Sequence, residues 1–286
     1  MPILCPNCKS PVDPTEGVCG RGHRFPYRNG VLELTAEPFR SKLEAYLKTF
    51  EPYREKEGMR IKDPGIYPNL PFSKPLENDP SWRAKQMDWK VVHSFLRDLP
   101  GPKGLDYGAW NGWLSNRLSA EGLDMTAASY FVDPFDGLGA IQHYSNKFQA
   151  IQMNMEDPFI LDETYDLIVI NRGLSFFQDP LGLLRELKAK LNPGGILLAT
   201  GLFFFRKLNK RMKFLESLKE SYKSETGTEL FLTQTSASLD WHDLKAFREG
   251  EWHLQAYRFW QYRGWFTRIF PERPFLCYGW YKNPEL

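Results

Sequence analysis

The chain is short of several things, and each shortage excludes something. Among 286 residues there are only 4 cysteines, too few for the disulfide framework of a small secreted protein. No apolar run approaches the roughly 20 residues that a membrane-spanning helix needs. The opening Met1-Pro2-Ile3-Leu4-Cys5 does not read as a secretory signal, so a soluble cytoplasmic protein is expected. An excess of one charge is missing as well. Lys plus Arg number 37 against 35 Asp plus Glu, a formal charge of +2, so RNA binding would need a local basic patch. What is present is a globular composition, 42% hydrophobic and 25% charged, which rules out wholesale disorder. Aromatics are plentiful at 15%, including 9 Trp. The length suits one large domain with appendages.

Three of the cysteines fall in the first nineteen residues, a clustering that argues for a metal site. Cys5-Pro6-Asn7-Cys8 is followed by Cys19-Gly20-Arg21-Gly22-His23, a C-x2-C-x10-C-x3-H pattern. Tetrahedral zinc takes four sulfur or nitrogen ligands, and two tight knuckles can supply them in pairs. Cys5, Cys8, Cys19 and His23 are therefore the candidate ligands. With every position filled by protein, the zinc would be structural. Residues 24–34 read as a strand, an Asn29-Gly30 turn and a second strand, completing a zinc ribbon over residues 1–35. Residues 36–81 combine a helical patch from Phe39 to Tyr53 with Pro64, Pro68, Pro71, Pro75 and Pro80. This stretch reads as a linker laid over the next domain, covering its pocket.

From Trp82 the periodicity changes, and residues 82–286 read as one α/β domain. Trp82, Met87, Val91, Phe95 and Leu96 give a helix one apolar face, ended by Pro100-Gly101-Pro102. A strand at Gly104-Leu105-Asp106-Tyr107 leads through a Gly-bearing loop into a helix reaching Leu118. Further strands are predicted at 125–129, 149–152, 165–170 and 196–200, the run Tyr165-Asp166-Leu167-Ile168-Val169-Ile170 suiting a buried parallel strand. A helix from Pro180 to Leu191 is terminated by Asn192-Pro193-Gly194-Gly195. Alternating strands and helices imply a doubly wound sheet with ligands at the carboxyl ends of its strands.

The Gly-bearing loop, the 165–169 strand and Leu191-Asn192-Pro193-Gly194-Gly195 together resemble the class I S-adenosylmethionine-dependent methyltransferases. The resemblance covers roughly residues 82–205, with a weaker continuation to the end. It implies a mostly parallel, seven-stranded methyltransferase-type sheet and an S-adenosylmethionine site. The N-terminal knuckle is similar to the one preceding the methyltransferase domain of certain ribosomal RNA guanine methyltransferases. By that resemblance the cofactor-binding positions are Asp106, Gly108, Trp110, Gly112, Ser129 and Asn154.

Two of these depart from the family pattern. Trp110 stands where the loop's middle glycine lets backbone approach the cofactor, and Ser129 stands where an acid accepts the ribose hydroxyls. A neutral hydroxyl is a weaker acceptor than a carboxylate by about a factor of two. Asn154 replaces an adenine-binding Asp, with Glu156 or Asp157 as substitutes; Asp133 or Asp136 could stand in at the ribose. Two functions follow. The first is a methyltransferase homologue with a degenerate cofactor site, a non-catalytic partner or scaffold subunit. The second is an active methyltransferase with unconventional cofactor binding, acting on a small metabolite or RNA.

Between Arg206 and Lys223 seven basic residues face two acidic ones, and Phe214, Leu215 and Leu218 give the segment helical amphipathy. It is either a solvated outer face or a surface for RNA phosphates, an anionic surface or an acidic partner. From Phe247 to Tyr281 the chain is aromatic, with Trp252, Tyr257, Trp260, Trp265, Tyr278 and Trp280 interleaved with arginines. The family resemblance implies that part of this forms the last two sheet strands, with 276–281 innermost. The surplus has the composition of a protein or homo-oligomer interface. His143 passes near the expected pocket, and Cys277 reads as a buried, inert strand residue.

Overall fold

The computed structural model describes residues 3–258 and 269–285. At the N-terminus, β1 (Ile3–Leu4), β2 (Pro11–Asp13) and β3 (Val18–Cys19) form a small antiparallel sheet, followed by the hairpin β4 (Tyr27–Arg28) and β5 (Val31–Leu34). Then come α1 (Phe39–Lys56), two 3-10 turns in the Pro-rich stretch, and α2 (Pro80–Phe95). The large domain continues with β6 (Lys103–Tyr107), α3 (Trp113–Ala120), β7 (Asp124–Ser129), β8 (Gln149–Met153), β9 (Tyr165–Asn171), α4 (Pro180–Lys188) and β10 (Leu191–Phe205). It closes with α5 (Asn209–Thr226), β11 (Leu239–Asp240), α6 (Trp241–Glu249), β12 (His253–Ala256) and β13 (Phe275–Lys282).

One sheet runs β12-β13-β10-β9-β6-β7-β8-β5-β4, with β11 beside β10. Its central pairs, from β10 through β9, β6, β7 and β8, are parallel, while β13 is antiparallel to both β10 and β12. The expected seven strands are β12 to β8 of that order. The strand β5 is an addition to it: the 27–34 hairpin forms, yet it does not complete a ribbon. It lies parallel to β8, with Leu32 opposite Ile151 and Leu34 opposite Met153. The cause is burial. Val31, Leu32 and Leu34 are fully buried, and the metal knuckle alone offers too little apolar surface to cover them.

Local signals set the helix starts. Asp79 caps α2, its Oδ1 accepting from the amides of Ser81 (2.8 Å) and Trp82 (3.0 Å), with Pro80 in the first turn. Asp179 caps α4 in the same way, and Asp240 with Asp243 makes a capping box on α6. Each such cap contributes about 1 kcal/mol. The strand β9 is buried from Tyr165 to Ile170, as an apolar run between two parallel neighbours requires. The expected breaker Asn192-Pro193-Gly194-Gly195 lies within β10 instead, as a register shift between Leu191 and Ile196.

The basic helix α5 packs on α1 through Tyr222 and Tyr53 (ring centroids 4.8 Å) and through Lys56 and Glu225. Phe214, expected in its buried stripe, is 58% exposed because Leu215 and Tyr222 define the inner face. Among the described aromatics of the C-terminal region, Phe247, Trp252 and Tyr257 are core and Tyr278 and Trp280 are half-buried. Trp260 and Trp265 lie outside the described residues. Among the described residues, no helix is long and apolar enough to cross a membrane.

Candidate functional site

The expected metal ligands do converge. Cys8 Sγ lies 3.7 Å from Cys19 Sγ, and His23 Nδ1 lies 3.6 Å from Cys5 Sγ and 3.3 Å from Cys19 Sγ. Tetrahedral zinc with bonds of about 2.0–2.3 Å puts its ligand atoms about 3.3–3.8 Å apart, so the set can hold such an ion. Hydrogen bonds from the side chain and backbone of Ser10 bring the Cys8 thiol down to about 6, which favours its thiolate, while burial pushes the Cys5 thiol up to about 11. The cluster is anchored to the large domain. Lys9 pairs with Asp157 (3.0 Å), and Ile3 bridges Leu161. A second acidic group, Asp240, His242 and Asp243, is accounted for by the capping box on α6.

At the carboxyl ends of the parallel strands two cavities adjoin, sharing Arg54, Gly108, Trp110, Gly173 and Phe176. The larger is about 750 Å³ and includes Asp106, Asn111, Trp113, Asn171 and Arg172 in its wall. The smaller is about 330 Å³ and is walled by Ser129, Tyr130, Phe131, Met155 and Phe177. The linker lines both, through Tyr46, Phe50 and Arg54 of α1 and through residues 58–63 beyond it.

The loop after β6 builds the junction. Gly108 has φ +85 and Gly112 φ +77, values that suit glycine. A Cβ on Gly108 would meet nothing within 4 Å, whereas one on Gly112 would press Phe148 at 2.8 Å. Gly108 is thus open for a ligand's approach, and Gly112 serves packing. Trp110 also takes a left-handed backbone, φ +53, at a cost of about 1–2 kcal/mol. Its side chain forms part of the wall of both cavities. The indole Nε1 donates to Asp136 Oδ1 at 2.8 Å, the ring lies 4.4 Å from that of Phe131, and the Arg54 guanidinium sits 4.6 Å above it. A charged hydrogen bond contributes about 1.5–3 kcal/mol and the aromatic and cationic contacts about 0.5–1.5 kcal/mol each. These outweigh the backbone strain, so the side chain stays in the wall and the cavity stays open.

Asp106 is fully buried: its Oδ2 accepts from Ser115 Oγ at 2.8 Å, and its Oδ1 has no partner among the described residues. Burial raises its carboxyl to about 7 against the Ser115 hydrogen bonds. Ser129 accepts the amide of Phe131 (3.3 Å), closing a local turn. Neither acid suggested as its substitute is free. Asp133 accepts from the amides of Phe135 and Asp136 and pairs with Arg60, while Asp136 is held by Arg54 and Trp110. Asn154 borders neither cavity; its Oδ1 takes the amide of Glu156 at 3.2 Å. Glu156 in turn accepts from Gln178 and Thr233, and Asp157 from Lys9. His143 is likewise outside both cavities, hydrogen-bonded to Pro134 O and stacked on Phe135. The Cys277 thiol is buried and pushed up by that burial.

Several residues in and behind the wall escaped sequence reasoning. The Tyr130 hydroxyl is buried beside the Met155 backbone. Asp88 of α2, fully buried, gathers Arg172 (Nε, and Nη2 at 3.3 Å), Asn171 Nδ2 (3.0 Å) and the Tyr257 hydroxyl. Asn171 also donates to Thr200 Oγ1 at 2.7 Å, and Tyr257 accepts the Gly201 amide at 2.9 Å. The available signal was a lone acid inside an otherwise apolar helix face, but its partners come from β9 and the segment after β12.

Residues 80–262 match the family described as methyltransferase domain. A ubiquinone biosynthesis O-methyltransferase of Actinobacillus pleuropneumoniae is 30% identical over 124 residues, covering 40% of this chain and 49% of that protein. A tRNA U34 carboxymethyltransferase of Vibrio atlanticus is 26% identical over 178 residues, covering 59% and 50%. The chain thus spans about half the length of the curated relatives it matches. Among solved structures, the plantazolicin methyltransferase BpumL in complex with a triazolic desmethylPZN analog and SAH is 16% identical, with a TM-score of 0.47 over 86% of this chain and 97% of that one.

Proposed function

The chain belongs to the methyltransferase domain family, of the class I S-adenosylmethionine-dependent kind, and on that premise we propose that it binds S-adenosylmethionine and methylates a small molecule. The N-terminal cluster then carries a structural zinc ion. One observation carries this reading: the cavity of about 750 Å³ at Gly108, in whose wall Trp110 is held by Phe131, Arg54 and Asp136.

The chain's own residues fit the cofactor's chemistry. Asp106 Oδ1 is a buried polar atom lacking a partner among the described residues, and such a group costs about 1–3 kcal/mol until satisfied; the Tyr130 hydroxyl is buried beside the Met155 backbone. Asp106 suits the amine of the methionine end. Tyr130, beside Ser129, suits the adenosyl end in place of the family's acid. Gly108 leaves space for close approach, and the aromatic wall of Phe131, Phe176 and Phe177 excludes water around an adenine. When bound, S-adenosylmethionine supplies an electrophilic methyl group on a positively charged sulfur. The protein's part is to hold the acceptor in line with that methyl and keep solvent away. The linker serves this by lying across the cavity, tied down through Arg54 and Arg60.

Calorimetric titration of the zinc-loaded protein with S-adenosylmethionine and S-adenosylhomocysteine tests the reading. Micromolar binding is expected, and its loss in Gly108→Val would locate it. Absence of binding by correctly folded protein would sink it. The degenerate-site reading, a non-catalytic partner or scaffold, would then stand. A specific observation favours that second reading: Ser129 is neutral, and Asp133 and Asp136 are both engaged by arginines of the linker.

A further inference from the structure

The wall of the larger cavity holds five cations, Arg54, Arg60, Lys62, Lys85 and Arg172. Four are ion-paired: Arg54 with Asp136, Arg60 with Asp133 and Glu55, Lys62 with Glu55, and Arg172 with Asp88. Three acids of the same wall are also engaged, while Asp106 keeps one oxygen without a partner among the described residues. Asp63 accepts the Gly65 amide, Asp79 caps α2, and Asp136 is shared by Arg54 and Trp110. Lys85 differs. Its Nζ donates to Ser81 Oγ at 2.7 Å and lies 4.3 Å over the Trp82 ring, and among the described residues it has no carboxylate within ion-pair distance.

Arg172 is its companion. The guanidinium is clamped by Asp88 through Nε and Nη2, and among the described residues Nη1 has no protein partner. Asp88 is fixed from two further sides by Asn171 and Tyr257, so the arginine is held rather than free to swing. Its backbone sits at φ +57, a conformation that a long side chain adopts at a cost and that clusters at ligand sites. Room for it is made by Gly201, where a Cβ would collide with the Arg172 side chain. Two cations on one wall repel. Burial first and the Arg172 charge second lower the Lys85 ammonium to about 8, against the opposing pull of Asp88 and Asp79, and a bound anion would offset the repulsion between the two cations.

The apolar part of the wall carries five aromatic rings, Trp82, Trp110, Trp113, Phe135 and Phe176, beside aliphatic side chains such as Ile66 and Leu76. A flat apolar body with one anionic group matches that combination. Resting on the methyltransferase reading, we infer that Lys85 and Arg172 form an anion subsite for the methyl acceptor, and that the acceptor is a small aromatic carboxylic acid. Arg172 offers the fixed, directional half of the recognition and Lys85 the adjustable half.

The same carboxylate chemistry could come from the methionine end of the cofactor, and the experiment separates the two sources. Zinc-loaded protein is first titrated with S-adenosylhomocysteine, which reports on the methyltransferase reading alone. It is then titrated by NMR with benzoate and with benzamide, its neutral isostere, with and without S-adenosylhomocysteine. Benzoate is expected to bind about tenfold more tightly than benzamide, as one charged hydrogen bond provides. Lys85→Gln should bring the two within about twofold, Lys85→Arg should keep the preference, and S-adenosylhomocysteine affinity should be unchanged in both. Equal binding of acid and amide, or binding of neither, overturns the subsite. A tenfold loss of S-adenosylhomocysteine affinity in Lys85→Gln also overturns it, by assigning the anion to the cofactor.

Discussion

At Trp110 a left-handed backbone and a large side chain occupy one position, and the contacts decide the balance. Trp110→Gly relieves about 1–2 kcal/mol of strain but removes the Asp136 hydrogen bond and the packing on Phe131 and Arg54. A net destabilisation of about 1–3 kcal/mol is expected by urea unfolding; a more stable variant would show that strain dominates. Asp106 allows a test by pH. Its folded value of about 7 lies above the ordinary carboxylate value of 3.8, so the folded state holds the proton where the unfolded state has lost it. Its contribution to stability is therefore complete below about pH 4 and declines as pH rises to about 7. Asp106→Asn should flatten that decline, measured as unfolding free energy against pH. Cofactor affinity runs the other way: an amine wants the carboxylate, so binding should strengthen up to about pH 7 in the wild type and lose this dependence in the variant.

Among the elements, α1 bears most directly on the cavities, because Arg54 reaches both Asp136 and the Trp110 face. Arg54→Ala leaves a half-buried carboxylate without its cation, and a loss of about 2–4 kcal/mol is expected. Hydrogen exchange should quicken over residues 57–63, which lie next along the linker; unchanged protection there would show that α1 does not hold the linker down. Elements with a strong local signature were legible in the sequence. The apolar run of β9 and the Asp79-Pro80 start of α2 needed no tertiary information. The extent of β10 did need it. Asn192-Pro193-Gly194-Gly195 has the composition of a terminator, yet Gly195 O accepts the Asn283 amide at 2.8 Å and Gly194 N donates to Asn283 O at 3.1 Å. These contacts, from a segment nearly ninety residues later, keep the strand going through a bulge. The site divides in the same way. Asp106 and Gly108 follow from a contiguous loop, whereas Asp88 and Arg172 meet across 84 residues of sequence, with nothing local to announce the pairing.

For the whole molecule, the N-terminal Cys and His cluster and the large domain share one core. Cys5, Val12, Cys19 and Phe25 are buried together with Leu34, Met153, Ile160 and Leu161. Chelation of bound zinc should therefore lower the Tm of the entire protein by about 5–10 °C, as a loss of roughly 3 kcal/mol does at this size, in a single calorimetric transition. Two separate transitions would mean that the cluster folds independently. The union has a consequence for how the protein is made. The strand β5 leaves the ribosome more than a hundred residues before β8, the strand it pairs with. Until synthesis passes Met153, residues 31–34 are an apolar segment awaiting a neighbour, and in a chain lacking its first 35 residues β8 becomes an open edge able to recruit other chains. The N-terminal hairpin thus covers a strand edge that would otherwise be open to pairing with other chains.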